Sequence, residues 1–144
     1  MQQWGRGEFL ISTDPGLVDK RVVEGFLRKS YWARERPAET IRRSVENSLP
    51  FGLYKGGRMV GFARVVTDYA TFAWLADVFV DEEFRGQGLG EWLVGTALAH
   101  EDLRGLRRWM LATRDAHALY RKFGFVPVEG SDFYMERIEG PPIS

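Results

Sequence analysis

Nine consecutive residues, Phe72 to Val80, are apolar with one exception, Asp77. A run of that length predicts a central strand covered on both faces, not a strand with one wet side. Immediately after it the pattern changes period. Trp92, Leu93, Thr96, Ala97 and Leu98 recur at helix spacing, which predicts a helix from Gly88 to about Asp102. Between strand and helix lie a short acidic segment, Asp81-Glu82-Glu83, and a glycine-rich loop, Arg85 to Gly90.

The same two periods divide the rest of the chain. Glu8 to Ser12 reads as a strand, and Ser12-Thr13-Asp14-Pro15 as a helix start, with a helix from about Pro15 to Ser30 facing the sheet through Leu17, Val18, Val22, Phe26 and Leu27. Pro37 to Ser48 reads as a second helix that Pro50 ends. Phe51–Tyr54 and Met59–Thr67 flank Gly56-Gly57 as a hairpin. Arg107–Ala112 reads as a strand, followed by a helix to about Phe123 that Gly124 closes in a left-handed conformation. Phe125–Val128 and Phe133–Arg137 read as two last strands, and the tail 139–144 as loose. The whole is one α/β domain, 1–144, built on a mixed sheet.

Composition narrows the chemistry more than it identifies it. Twenty basic residues balance twenty acidic ones in 144, so the basic excess usual for a nucleic-acid binder is missing. The absence of cysteine removes disulfides, thiolate metal sites and a cysteine nucleophile. With only His100 and His117, a histidine-rich metal centre is not expected. No apolar run reaches membrane-span length, and the first residues lack a signal-peptide core. The expectation is a soluble, cytoplasmic protein with no metal, no nucleic acid and no membrane partner.

The candidate chemistry lies in the loop. A strand, a glycine-rich loop and a helix in sequence present free N–H groups and a positive helix end to an anion. Gly86, Gly88 and Gly90 let backbone approach a phosphate, and Arg85 adds a forked cation. The G-x-G-x-G spacing does not match a dinucleotide fingerprint, and no Gly-Lys-Ser/Thr follows for a P-loop. A coenzyme A diphosphate loop and a plain strand-to-helix turn both stay open on these residues alone.

Two motifs close the choice. Arg85-Gly86-Gln87-Gly88-Leu89-Gly90 resembles the R/Q-x-x-G-x-G/A signature of the GNAT superfamily of N-acetyltransferases. Ala116, Leu119, Tyr120, Lys122, Gly124 and Phe125 match that family's A-x-x-L-Y-x-K-x-G-F segment. At the position seven before the tyrosine, where the family often has Asn, this chain has Thr113, a shorter hydrogen-bonding side chain.

The resemblance implies six or seven strands, about four helices, and an acetyl-CoA site between parallel strands that splay apart. The backbones of Val78, Phe79 and Val80 would meet the pantetheine arm; Arg85, Gly86, Gln87, Gly88, Leu89 and Gly90 would hold the diphosphate; Thr113 and Ala116 would complete the cofactor side. It implies acetyl transfer to the primary amine of a small molecule or peptide by direct attack in a ternary complex, and it admits a homodimer. A longer acyl group, or a non-catalytic acyl-CoA-binding module, are the alternatives.

Tyr120 is the expected acid for the departing thiolate, by its place in the motif. Asp77, a carboxylate inside an apolar strand, is the first candidate base. Asp68 in the preceding turn is a second candidate. Tyr31, Trp32, Asp68 and His117 are candidates for the acceptor pocket.

Overall fold

The computed structural model describes residues 1–140. Residues 141–144, most of the tail expected to be loose, lie outside the described residues. Six strands form one sheet in chain order: β1 (Gln3–Arg6), β2 (Phe9–Ser12), β3 (Leu49–Lys55), β4 (Arg58–Thr67), β5 (Phe72–Val80) and β6 (Arg108–Met110). Every neighbouring pair is antiparallel except β5 and β6, which run parallel, so the sheet is mixed, as expected. Among the described residues no helix is long and apolar enough to cross a membrane.

Helices cover both faces. On one side lie α1 (Lys20–Lys29) and α2 (Ala38–Glu46), whose Val23, Leu27, Ile41 and Val45 pack with Phe62 and Phe79 of the sheet. On the other lies α3 (Leu89–Leu98), whose Leu89, Leu93, Val94 and Ala97 pack with Phe51, Val65 and Leu75. The short helix α4 (His117–Arg121) joins that second core through Tyr120. Each fully buried Leu, Ile or Phe here stabilises the fold by roughly 1.5–3 kcal/mol.

The sheet is shaped by a bulge that bears directly on the site. Phe62 pairs with Phe79, and Arg64 with Ala76, so three steps on β5 oppose two on β4. The extra residue reverses the pleat. Before it, Ala73 and Leu75 face the α3 core; after it, Phe79 faces the α1/α2 core while Val78 and Val80 pack toward α3. Asp77 sits at the reversal with φ +53°, in the left-handed region that a non-glycine residue rarely occupies.

Several sequence expectations are corrected. Pro15–Leu17 forms a separate 3₁₀ turn capped by Asp14, and α1 starts only at Lys20 behind Asp19, whose carboxylate accepts from the N–H groups of Arg21 and Val22. Leu17, expected to face the sheet, is exposed. Pro50 does not end a helix; it lies inside β3, beyond the stretch that β2 pairs with, where its missing N–H deprives no ladder partner on that side. The helix α3 stops at Leu98, and a 3₁₀ turn follows at Glu101–Leu103, where His100 Nδ1 accepts from the Asp102 N–H. Neither Phe125–Val128 nor Phe133–Arg137 is a strand; Val126, Phe133 and Met135 stand exposed.

Candidate functional site

The parallel pair supplies the opening. Only Phe72, Ala73 and Trp74 of β5 pair with β6, leaving Leu75 to Val80 without a strand neighbour on that edge among the described residues. A cavity of about 580 Å³ lies between the diverging chains. Ala76, Asp77 and Val78 line it from β5, Leu111, Thr113 and Ala116 from beyond β6, and Tyr120 from α4. Backbone N–H and C=O groups on such an edge need partners other than a strand, and the Val80 carbonyl finds one in Arg85 Nε. An extended, amide-bearing chain fits that requirement.

Tyr120 is 9% exposed. Its helix is short, and the chain leaves it through Gly124 (φ +89°), where the Phe125 N–H reaches back to the Tyr120 carbonyl at 3.2 Å. Burial, reinforced by the nearby Tyr31 and Asp115, pushes the phenol up to about 12. It is therefore a neutral donor throughout the physiological range.

Asp77 is placed quite differently from a free base. Its Oδ2 accepts from Arg64 Nε at 2.7 Å and from Arg36 Nη1 at 2.9 Å, and its Oδ1 accepts from the Trp32 indole N–H at 2.8 Å. Burial pushes its carboxyl up, but the charge and hydrogen bonds of Arg64, with Arg36 and Trp32, outweigh it and hold the pKa below the ordinary carboxylate value. A carboxylate so held takes up a proton poorly. Its geometry is that of an anchor for the bulge.

The glycine loop has the form an anion needs. Gly86 and Gly88 are left-handed (φ +83° and +75°), with no heavy atom within 4 Å of where a Cβ would stand. Gly88 is the N-cap of α3, so the helix opens on a bare backbone end, and the buried Leu89 pins its first turn to the core. Gln87 donates through its amide to the Phe84 carbonyl at 3.3 Å. Arg85 is folded back, its Nε donating to the Val80 carbonyl at 3.0 Å. These residues fit a diphosphate: open space, unspent helix N–H groups and an exposed guanidinium.

The remaining candidates separate into two groups. Tyr31 and Trp32 stand on the cavity wall, edge to face at 5.1 Å. The Tyr31 hydroxyl accepts from the Arg114 N–H at 2.8 Å, and the Arg114 guanidinium lies 3.9 Å from the centre of the Tyr31 ring, a strap across the opening. Thr113 lines the cavity, but its hydroxyl accepts from the Ala116 N–H at 3.0 Å and so serves the start of α4. Phe79 faces a second cavity of about 700 Å³ and stacks on Phe26 at 4.0 Å. Asp68 and His117 are not brought to the Tyr120–Asp77 cavity. Asp68 closes its own turn, with the Thr71 hydroxyl and the N–H groups of Thr71, Ala70 and Phe72 holding its carboxyl far below the usual range. His117 is exposed on α4 and lines a smaller hollow that adjoins the cavity, sharing Leu111, Thr113 and Tyr120 with it. Sequence reasoning passed over Arg36 and Arg64. Arg64 could have been found: like Asp77 it is a lone charge inside an apolar strand, and opposite charges on adjacent strands call for each other.

A mixed sheet that opens between parallel strands, with a glycine loop at the head of the following helix, is the arrangement that the GNAT resemblance implied. Comparison with known proteins agrees. Residues 18–125 match the acetyltransferase (GNAT) family. A solved structure from Xanthomonas campestris pv. campestris, described as belonging to that family, shares 44% identity over 94% of this chain and 96% of its own, with a TM-score of 0.89. A Gibberella zeae protein that carries the name "putative acetyltransferase" is 33% identical over 84% of this chain and 80% of its own length. The spermine/spermidine N(1)-acetyltransferase of Bacillus subtilis (strain 168) is 32% identical over 62% of this chain and 66% of its own. The matched stretch spans about half of some further curated relatives, 55% in two of them. The chain belongs to the GNAT acetyltransferase family.

Proposed function

We propose that the protein transfers the acetyl group of acetyl-CoA to a primary amine by direct attack in a ternary complex. The observation that carries this reading is the unpaired edge of β5, Leu75 to Val80, opening onto a cavity with the Tyr120 phenol on its wall. The pantetheine arm completes that edge as a strand would, and the diphosphate rests on the head of α3. A β5 backbone N–H polarises the thioester carbonyl.

The amine nitrogen must be neutral to attack, although free alkyl amines titrate near ~10.4. Arg36, Arg64 and Arg114 on the cavity wall disfavour an ammonium beside them, and desolvation acts in the same direction. The N–C bond forms as the C–S bond breaks. The thiolate leaves with a proton from Tyr120, and the proton shed by the product nitrogen restores the phenol through solvent. A phenol at about 12 lies some ~3.5 pH units above a thiol near ~8.5, a gap worth about 5 kcal/mol, so in the free protein it is a hydrogen-bond donor more than a strong acid.

The test is acetyl-CoA-dependent release of free thiol with and without amines, for the wild type and Tyr120→Phe. Amine-dependent release by the wild type, reduced in the variant while acetyl-CoA still binds, supports the proposal. Binding of acetyl-CoA with no amine-dependent release from any acceptor would overturn it.

A further inference from the structure

The cavity beside Tyr120 and the larger one beside Phe79 share Tyr31, Trp32, Arg114 and Asp115, and together make one cleft. The charge of that cleft departs from that of the chain, which is neutral overall. With Arg85 left aside for the diphosphate, six cations line it: Lys29, Arg34, Arg36, Arg58, Arg64 and Arg114. Four acids face them, Asp77, Asp81, Glu82 and Asp115. Two of those acids are already engaged, Asp77 by Arg36 and Arg64 and Asp81 by Arg58 at 3.5 Å, while the exposed Glu82 pairs at 3.8 Å with the Arg85 left aside. Lys29, Arg34 and Arg114 make no ion pair among the described residues.

Deeper in the cleft, Arg64 gives its Nε to Asp77 and its Nη1 to Ser48 Oγ at 3.0 Å. Its Nη2 has no hydrogen-bond partner among the described residues, although the side chain is only 12% exposed. That donor keeps some contact with solvent, so it is available to an acceptor that enters the cleft. A guanidinium matches carboxylate and phosphate oxygens in particular.

Resting on the acetyltransferase reading above, we propose that the acceptor is an amine that also carries an anionic group, a carboxylate or a phosphate, held against Arg64 and the cationic rim. It is not a polyamine. A molecule with two or more ammonium groups would enter a cleft already in cationic surplus, with no unengaged acid there but the exposed Glu82 and Asp115. The anion tethers the acceptor, while the same cations keep its amine neutral for attack.

The experiment compares matched amines that differ only in the anion: lysine against cadaverine, phosphoethanolamine against ethanolamine, and glucosamine 6-phosphate against glucosamine, with spermidine alongside. Thiol release gives kcat/KM, and calorimetry with acetyl-CoA alone gives cofactor binding. The anionic member is expected to lead by tenfold or more in at least one pair, and the pair that responds separates carboxylate from phosphate. Raised salt should shrink that lead. Arg64→Gln should cut it at least tenfold. Lys29→Gln/Arg34→Gln, at exposed positions where folding is not at stake, should cut it several-fold. Equal rates within every pair, or a preference for spermidine, would overturn the proposal. Failure to bind acetyl-CoA, or binding without turnover of any amine, would overturn the acetyltransferase reading beneath it.

Discussion

Replacing Asp77 separates two energies that meet at one residue. Its carboxylate is 5% exposed as a residue and compensates two guanidiniums at 2.7 and 2.9 Å. Removing one partner of a buried ion pair costs about 3–5 kcal/mol, because the remaining charge is left uncompensated. Its backbone, at φ +53°, adds a second term: a Cβ-bearing residue without a polar side chain pays roughly 1–2 kcal/mol there, which glycine does not. Asp77→Asn keeps the shape, an acceptor for the Trp32 indole and tolerance of the left-handed region, and loses only the charge. Asp77→Gly loses the anchor but relaxes the backbone, and Asp77→Ala loses the anchor and keeps the strain. The expected order of stability is wild type, Asn, Gly, Ala, with the Gly–Ala gap at ~1–2 kcal/mol. Against a total of about 5–15 kcal/mol these are large fractions. Urea unfolding followed by tryptophan fluorescence measures them, Trp32 being itself a reporter. The pH dependence has a fixed sign. Because the folded pKa is depressed, the stabilisation is complete above the unfolded value near ~3.9 and is lost as pH falls through the lower folded value, a limb that Asp77→Asn should lack. An Ala variant as stable as the wild type, or more stable than the Gly variant, would refute the reasoning.

Tyr120→Phe should lower kcat by about 10²-fold, the lower end for acid–base groups given its high pKa, with the KM for acetyl-CoA nearly unchanged; steady-state kinetics decides it, and an unchanged kcat removes the phenol from the mechanism. Tyr54 buries a hydroxyl with no partner among the described residues, so Tyr54→Phe should be neutral or stabilising by up to about 1–2 kcal/mol in a thermal melt. Burial, with Asp14 and Asp19, also raises the Tyr54 phenol to about 12. Its neutral form therefore favours folding below pH ~10, an advantage lost as pH rises from there through the folded value, and the Phe variant should fall less steeply over that window.

The parts of the fold that could be read from the sequence are those whose neighbours follow from local pattern. The bounds of β5 came directly from an apolar run broken only by Asp77, and the Gly56-Gly57 hairpin and the Gly124 cap from residues that tolerate positive φ. The strand β1 was invisible because Gln3, Gly5 and Arg6 surround a single apolar anchor, Trp4. Its place depends on pairing with β2. The segment Phe125–Val128 erred in the opposite direction: its composition suits a strand, but Pro127 interrupts it and no strand pairs with it among the described residues. At the site, the loop and Tyr120 were legible as motifs. The clamp on Asp77 was not, since Arg36 reaches it across 41 residues of chain and the bulge that turns it toward Arg64 is a property of strand register.

The account stands on acetyl-CoA completing the open edge of β5 and resting on the head of α3. Amide hydrogen exchange, with and without acetyl-CoA, reads both places at once. The account predicts slowed exchange concentrated in residues 75–80 and 86–91. Binding that leaves those amides exchanging as before, or that protects a different part of the chain, would contradict it.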